Sequence, residues 1–307
     1  MFIGSDKVLP AIQKLCVGDN EIYLAREDLL PFSFGGNKAR KAQYFFENMD
    51  KSVDTVVTYG SGSSNHCRVV ANCAKSMGMQ CVIVSPEENY KQTMNTALIN
   101  WMGAKVVTAK LEDISGTIDR TCDSLRRAGK NVYFIPGGGH GILGTKAYVD
   151  FYEQLKKCGL RTDYIFFASG TGGTQAGLVC GKLIYGGNER IVGMSIARKK
   201  EKNIAVISSA CNEYLKSVGR TIGRDEIEKN IEFVDKYRCG GYGLYDDDVK
   251  EVQQRMWFEY GIPMDRTYVA KAFSAMKKYI VDNDIKGSKI LFIHTGGTPL
   301  FFDEVTQ

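Results

Sequence analysis

No stretch of this 307-residue chain approaches the roughly 18 consecutive apolar residues that a membrane helix requires. Met1 to Lys14 holds no basic segment followed by an apolar run, so neither a span nor a leader is expected and the expected compartment is the cytoplasm. No Cys-x-x-Cys pair occurs among nine scattered cysteines (Cys16, Cys67, Cys73, Cys81, Cys122, Cys158, Cys180, Cys211 and Cys239). That lack excludes the usual zinc spacings and a disulfide framework, and leaves reduced, mostly buried thiols. Only three histidines are present, His66, His140 and His294, none with a carboxylate or second histidine at ligand spacing, so no metal is expected. A large excess of one charge is missing as well. With 40 Lys and Arg against 35 Asp and Glu, the balance is too even for a nucleic-acid partner and suits an anionic small molecule at least as well. There is no internal repeat and no low-complexity tract.

What is present is a well-populated apolar set, 44% of the residues, in a chain long enough for one large or two medium α/β domains. Short β-branched runs at Asp54 to Tyr59, Cys81 to Ser85, Lys105 to Ala109, Val132 to Ile135, Tyr164 to Ala168, Ile191 to Ile196 and Lys289 to His294 alternate with amphipathic stretches. That alternation predicts parallel sheets built from βαβ units. Asn65 to Met77 reads as a helix stopped by Gly78, and Ala39 to Met49 as a helix with Asn37 as a candidate N-cap. Lys146 to Leu160 reads as a helical stretch where the chain could cross between domains.

Four glycine-rich turns, Gly60 to Asn65, Gly137 to Gly144, Gly170 to Gly173 and Gly296 to Gly297, fall at strand ends, where open α/β sheets collect ligands. The turn Ala168-Ser-Gly-Thr-Gly-Gly-Thr174 follows a strand and opens a helix at Gln175 to Leu183. Its backbone amides, with the hydroxyls of Ser169, Thr171 and Thr174, make a phosphate cradle; the alternative is a tight turn without a ligand. No Gly-Lys-Ser or Gly-Lys-Thr follows Gly60 or Gly170, and the third glycine of a dinucleotide fingerprint would fall on Gln175 or Asn65. Lys38 and Lys41 lie in or near a first helical turn, where the helix dipole disfavours a cation unless an anion offsets it. A lysine in such a pocket can have its pKa lowered and condense with an aldehyde, although a solvated basic helix end has the same sequence. Ser64 or Asn65 can cap the following helix or bind a ligand, and Thr295 ends a strand where its hydroxyl could meet a ring nitrogen or simply a turn.

Taken in order, Glu27-Asp-Leu, Gly35-Gly-Asn-Lys38, Ser64-Asn-His66, Gly170-Thr-Gly-Gly-Thr-Gln-Ala-Gly177, Gly241-Tyr-Gly-Leu244, Asp265-Arg-Thr-Tyr268 and His294-Thr-Gly-Gly297 resemble a known family. It is the pyridoxal-phosphate family of 1-aminocyclopropane-1-carboxylate (ACC) deaminase and D-cysteine desulfhydrase, and the resemblance runs from about Ile22 to the C-terminus. It implies a tryptophan synthase β-like, fold-type II architecture, with two open twisted parallel-sheet α/β domains and the cofactor in the cleft between them. Residues 1–46 plus 151–307 would form the larger domain and 47–150 the smaller, in a homodimer. It further implies that Lys38 carries the cofactor as a Schiff base and moves the α-proton. Ser169, Gly170, Thr171, Gly172, Gly173 and Thr174 would hold the phosphate with help from Lys41. Asn65 would touch the phenolic oxygen, and Thr295 the pyridine nitrogen. Ser63, Ser64 and His66 would bind the substrate, and Tyr242 and Tyr268 would stand beside it; Lys38, Ser64, Tyr242 and Tyr268 form the catalytic set.

Two positions depart from the family pattern. Val269 follows the second tyrosine, where the deaminases have Glu and the desulfhydrases Thr; a valine cannot favour a protonated pyridinium, which disfavours ring opening. Ser63 stands where desulfhydrases commonly have Gln. The implied reaction is β-elimination from a small β-substituted amino acid, with β-replacement or racemisation as alternatives and a non-catalytic ligand-binding protein as the reading from another class.

Overall fold

The computed structural model describes residues 9–15, 19–89 and 92–305; Cys16 and the start of the Met1 to Lys14 segment lie outside them. Two sheets organise the chain. The smaller has the order β5-β4-β3-β6, from β3 (Thr55–Tyr59), β4 (Gln80–Pro86), β5 (Lys105–Ala109) and β6 (Val132–Ile135), all parallel. The larger has the order β1-β2-β10-β7-β8-β9, from β1 (Ala11–Leu15), β2 (Glu21–Arg26), β7 (Tyr164–Ser169), β8 (Arg190–Ser195), β9 (Glu232–Val234) and β10 (Lys289–His294). Every run expected from the sequence is a strand, within a residue or so at its ends.

Three strands were not anticipated: β1, β2 and the three-residue β9. β1 pairs antiparallel with β2, so an otherwise parallel sheet carries one antiparallel edge. Edge position explains why β1 escapes a pattern search, since Ala11-Ile-Gln-Lys-Leu15 buries fully only Leu15. β7 and β10 are the opposite case. Both faces of these central strands are covered by helices, and Phe166, Phe167, Ile290, Phe292 and Ile293 are wholly buried.

The helices are α1 (Gly36–Glu47), α2 (Asn65–Ser76), α3 (Met94–Trp101), α4 (Ile114–Arg127), α5 (Ile142–Lys157), α6 (Gly173–Tyr185), α7 (Lys200–Ser217), α8 (Arg224–Lys229), α9 (Asp247–Tyr260), α10 (Val269–Asp282) and α11 (Thr298–Val305). None is long and apolar enough to cross a membrane. Asn37 does not cap α1. The helix begins earlier, behind Gly35, in a run of four consecutive residues with positive φ that ends on its first residue: Ser33 (48°), Phe34 (56°), Gly35 (57°) and Gly36 (85°). The Asn37 backbone N–H instead donates to Thr295 O at 3.0 Å, and its side chain donates to Thr174 Oγ1 at 3.2 Å. A Cβ on Gly36 would lie 2.6 Å from Thr295 O, so only glycine lets the start of α1 settle this close to the end of β10.

Buried charge locks α1 in place. Glu27, at the end of β2 and fully buried, accepts from Arg40 Nη2 at 2.6 Å and Nε at 2.9 Å, and from Tyr148 Oη of α5 at 2.7 Å. Of the described cysteines all are free; Cys67, Cys73, Cys81, Cys122, Cys180 and Cys211 are buried, Cys239 is half-buried and Cys158 is exposed.

Candidate active site

All four glycine turns open at the carboxyl ends of β3, β6, β7 and β10 and line one cavity of about 650 Å³ between the two sheets. Lys38, Asn37, Tyr242, Tyr268 and the end of β8 at Ile196 to Arg198 complete its wall. Among the described residues no Asp or Glu lines it, so the cavity is cationic. No group of three or more His, Cys, Asp or Glu among the described residues is placed to hold a metal.

Lys38 sits in the first turn of α1 and donates from Nζ to Gly138 O at 3.1 Å, reaching from the larger sheet's side to the turn after β6. Burial lowers its ammonium to about 8. One helical turn on, Lys41 is almost fully buried. Its Nζ lies over the Tyr148 ring, 5.7 Å from the centroid, and makes no hydrogen bond or ion pair among the described residues. Burial, then the Lys38 charge, push it well below the ordinary lysine range. A Cβ on Gly173, the first residue of α6, would come within 3.0 Å of Lys41 Nζ. The Lys41 amine therefore faces the helix N-terminus itself, where an anion would be favoured.

The Gly170 turn has the geometry of a cradle. Gly172 adopts φ 91° and leads directly into Gly173 and Thr174, the first residues of α6. Thr171 and Thr174 line the cavity, but the Ser169 hydroxyl donates to Gln175 Oε1 at 3.0 Å, so Ser169 meets the cavity only as an acceptor. Ser64 is the N-cap of α2, accepting from Cys67 N at 3.3 Å. Asn65 Oδ1 accepts from Asn95 Nδ2 at 3.0 Å, which leaves the Asn65 amide nitrogen as its remaining donor; the same Asn95 nitrogen donates to Ser63 O at 2.9 Å. Thr295 lines the cavity at the end of β10.

His66 also lines the cavity, and its Nε2 lies 2.9 Å from Thr58 Oγ1. The Thr58 hydroxyl donates to Ile135 O at 2.8 Å, so its oxygen can only accept from His66, which assigns the Nε2–H tautomer. Burial, then Lys38 and Lys41, keep this imidazole neutral. Tyr242 and Tyr268 form a T-shaped pair with hydroxyls 2.7 Å apart, and Ser63 Oγ stands 3.4 Å from the Tyr242 hydroxyl without itself lining the wall. Burial, then Tyr242, raise Tyr268 well above the ordinary phenol range.

Sequence reasoning missed His140 and Arg198, both in the cavity wall. Burial and the charges of Lys41, Lys38 and Arg198 hold His140 at about 3. It missed Arg68 as well, a buried residue of α2 whose Nη1 donates to the Ser33 carbonyl and, at 2.7 Å, to Ser33 Oγ, bracing the left-handed segment before Lys38. No local pattern signals these roles, although a lone arginine on an apolar helix face is a hint. Val269 lies in the core between α10 and the larger sheet and does not line the cavity.

A family model described as pyridoxal-phosphate dependent enzyme matches residues 8–296. The chain is 32% identical over 299 residues to the 1-aminocyclopropane-1-carboxylate deaminase of Burkholderia cenocepacia, covering 92% of this chain and 88% of that protein. To the D-cysteine desulfhydrase of Serratia proteamaculans it is 29% identical over 295 residues, covering 92% and 88%. The solved structure of an ACC deaminase homologue superposes with a TM-score of 0.83 at 29% identity, over 93% of this chain and 87% of that one.

Proposed function

Since this chain belongs to the family of pyridoxal-phosphate dependent enzymes, we propose that it is a β-eliminating lyase acting on a small β-substituted amino acid, as the D-cysteine desulfhydrases do. The residues fit the cofactor on their own chemistry. An unpaired buried lysine faces a glycine cradle at a helix N-terminus, where a dianionic phosphate would satisfy both. In this reading Gly170 to Thr174, with Ser169 and Lys41, hold the phosphate, Asn65 the phenolic oxygen and Thr295 the pyridine nitrogen. The division into residues 1–46 plus 151–307 and 47–150, and a homodimer, belong to the same reading.

Bound there, the cofactor supplies an aldehyde for amino groups and a sink for electrons at Cα. Lys38 carries the reading: a lysine lowered to about 8, in a cavity without a carboxylate, is a covalent anchor and then a base able to take the Cα proton. Ser64, the N-cap of α2, offers its hydroxyl to the substrate carboxylate with Ser63 behind it, and neutral His66 flanks them without adding charge. The Tyr242–Tyr268 pair has a proton to give the departing group. The Cα–H and Cβ–X bonds break, HX leaves, and hydrolysis of the remainder releases ammonia and a 2-keto acid.

Ring opening of a cyclopropane needs a stronger sink, and among the described residues no Asp or Glu stands in the wall around Thr295 to protonate a pyridine nitrogen. The test is to incubate the cofactor-loaded protein with D- and L-cysteine, D- and L-β-chloroalanine, cysteate and ACC, and to assay keto acid and ammonia. Turnover of one or more β-substituted amino acids, with ACC slower, is expected; no turnover of any of them removes the lyase reading. A thioether formed when a thiol is added would turn it to β-replacement.

A further inference from the structure

Lys271, on α10, is wholly buried, yet makes no ion pair among the described residues. An ammonium taken out of water without a counter-ion is costly, so its hydrogen-bond partners must solvate it. They are two backbone carbonyls far apart in sequence: Gly241 O at 2.8 Å and Ile196 O at 3.2 Å. Ile196 lies in the cavity wall at the end of β8, and Gly241 immediately precedes Tyr242.

The other ties of the turn around Tyr242 are weak: Cys239 Sγ donates to Tyr237 O at 3.5 Å and Arg266 Nη1 to the Tyr245 hydroxyl at 3.4 Å. Cys239, Gly240 and Gly243 have φ of 53°, 86° and 72°, and the left-handed cysteine is held there against its own preference. Its local backbone bonds are long, Gly241 N to Arg238 O at 3.2 Å and Leu244 N to Gly241 O at 3.4 Å. Tyr268, as the N-cap of α10, precedes Lys271 by three residues. A single helix end thus holds the Tyr242 hydroxyl through Tyr268 and the Tyr242 turn through Lys271.

We propose that Lys271 is a positioning residue that pins the Tyr242 turn to α10 and to the end of β8, setting how the two tyrosine hydroxyls stand over the cavity. The service this gives to catalysis rests on the lyase reading above; the pinning itself does not.

Lys271→Met keeps the apolar bulk and removes the donors, and Lys271→Arg restores a donor. Hydrogen exchange followed by peptide mass analysis on the cofactor-loaded protein is expected to show residues 239–245 exchanging about tenfold faster in Lys271→Met. Residues 164–185 should remain unchanged, and Lys271→Arg should recover part of the protection. With an amino acid that the wild type turns over, kcat should fall by about tenfold while binding of that amino acid, read from cofactor absorbance, stays within about threefold. Unchanged exchange at 239–245, a uniform rise along the chain, or local loosening with kcat intact overturns the proposal. Local loosening in a chain that turns over no amino acid refutes the lyase reading and leaves the pinning established.

Discussion

Lys38 and Lys41 are one helical turn apart, and their surroundings assign them different chemistry. With its ammonium lowered to about 8, roughly a tenth of Lys38 is free base at pH 7, against about one in three thousand for an ordinary lysine. Because only the free amine attacks an aldehyde, covalent attachment of pyridoxal phosphate to the cofactor-free protein should speed up from about pH 6 and level off just above about pH 8. Borohydride trapping and peptide mass analysis across that range would show it, with Lys38→Ala unlabelled throughout; a rate still climbing at about pH 10 would contradict the burial argument. Among the described residues Lys41 has no partner but the Tyr148 ring. Lys41→Met should weaken binding of the cofactor, and of inorganic phosphate, by about tenfold or more. The cofactor-free protein should melt no lower than the wild type, because a buried amine with no hydrogen-bond partner among the described residues has been removed. A lower melting temperature would mean that Lys41 is structural. Both lysines were legible because they sit in a short motif beside a helix start. Lys271 and Arg68 were not, because the carbonyls they hold lie 30 or more residues away and contribute no side chain to a pattern.

At the scale of elements, the strands were legible where the sheet buries both faces, since a run such as Tyr164-Ile-Phe-Phe-Ala-Ser169 has no other stable use in a chain of this composition. β1 and β9 were hidden by being edges, and the start of α1 was displaced because the four left-handed residues before Asn37, rather than a side-chain cap, end the preceding loop. The approach of α5 to α6 was only half legible: Gly177 could be read as part of a motif but not as a packing device. A Cβ there would lie 2.4 Å from Tyr148 Cβ and 2.5 Å from Thr145 O, and at Gly181 2.5 Å from Tyr152 Cβ. Both glycines let the helix that begins at the cradle lie against the helix that carries Tyr148. Gly177→Ala should therefore cost about 1–3 kcal/mol in chemical denaturation. Gly223→Ala, where a Cβ meets nothing within 4 Å and φ is −61°, should stay within about 0.5 kcal/mol. Equal effects at the two positions would remove the packing argument.

For the whole molecule the question is what holds the two sheets at the spacing the cavity needs. α5 follows β6 of the smaller sheet and leads to β7 of the larger, and it packs on both α1 and α6. A second tie returns from the other end of the chain. Asp303, on α11 after β10, accepts from the backbone N–H of Met94 at 2.7 Å, the first residue of α3. The next residue, Asn95, holds Ser63 O and, in the cavity wall, Asn65 Oδ1. With donor and acceptor 209 positions apart, no sequence pattern could have indicated this link. If it helps keep the cleft closed, Asp303→Ala should lose about 1 kcal/mol of that closure, roughly fivefold in population. Cofactor release should then accelerate by about the same factor, and residues 61–66 and 94–101 should exchange faster while 164–185 do not. Asp303→Asn, which keeps an acceptor but not the charge, separates the contributions: recovery to near wild type assigns the effect to the hydrogen bond, and loss equal to that of Ala assigns it to the charge at the α3 N-terminus. Release unchanged in both variants would mean that α5 alone sets the spacing.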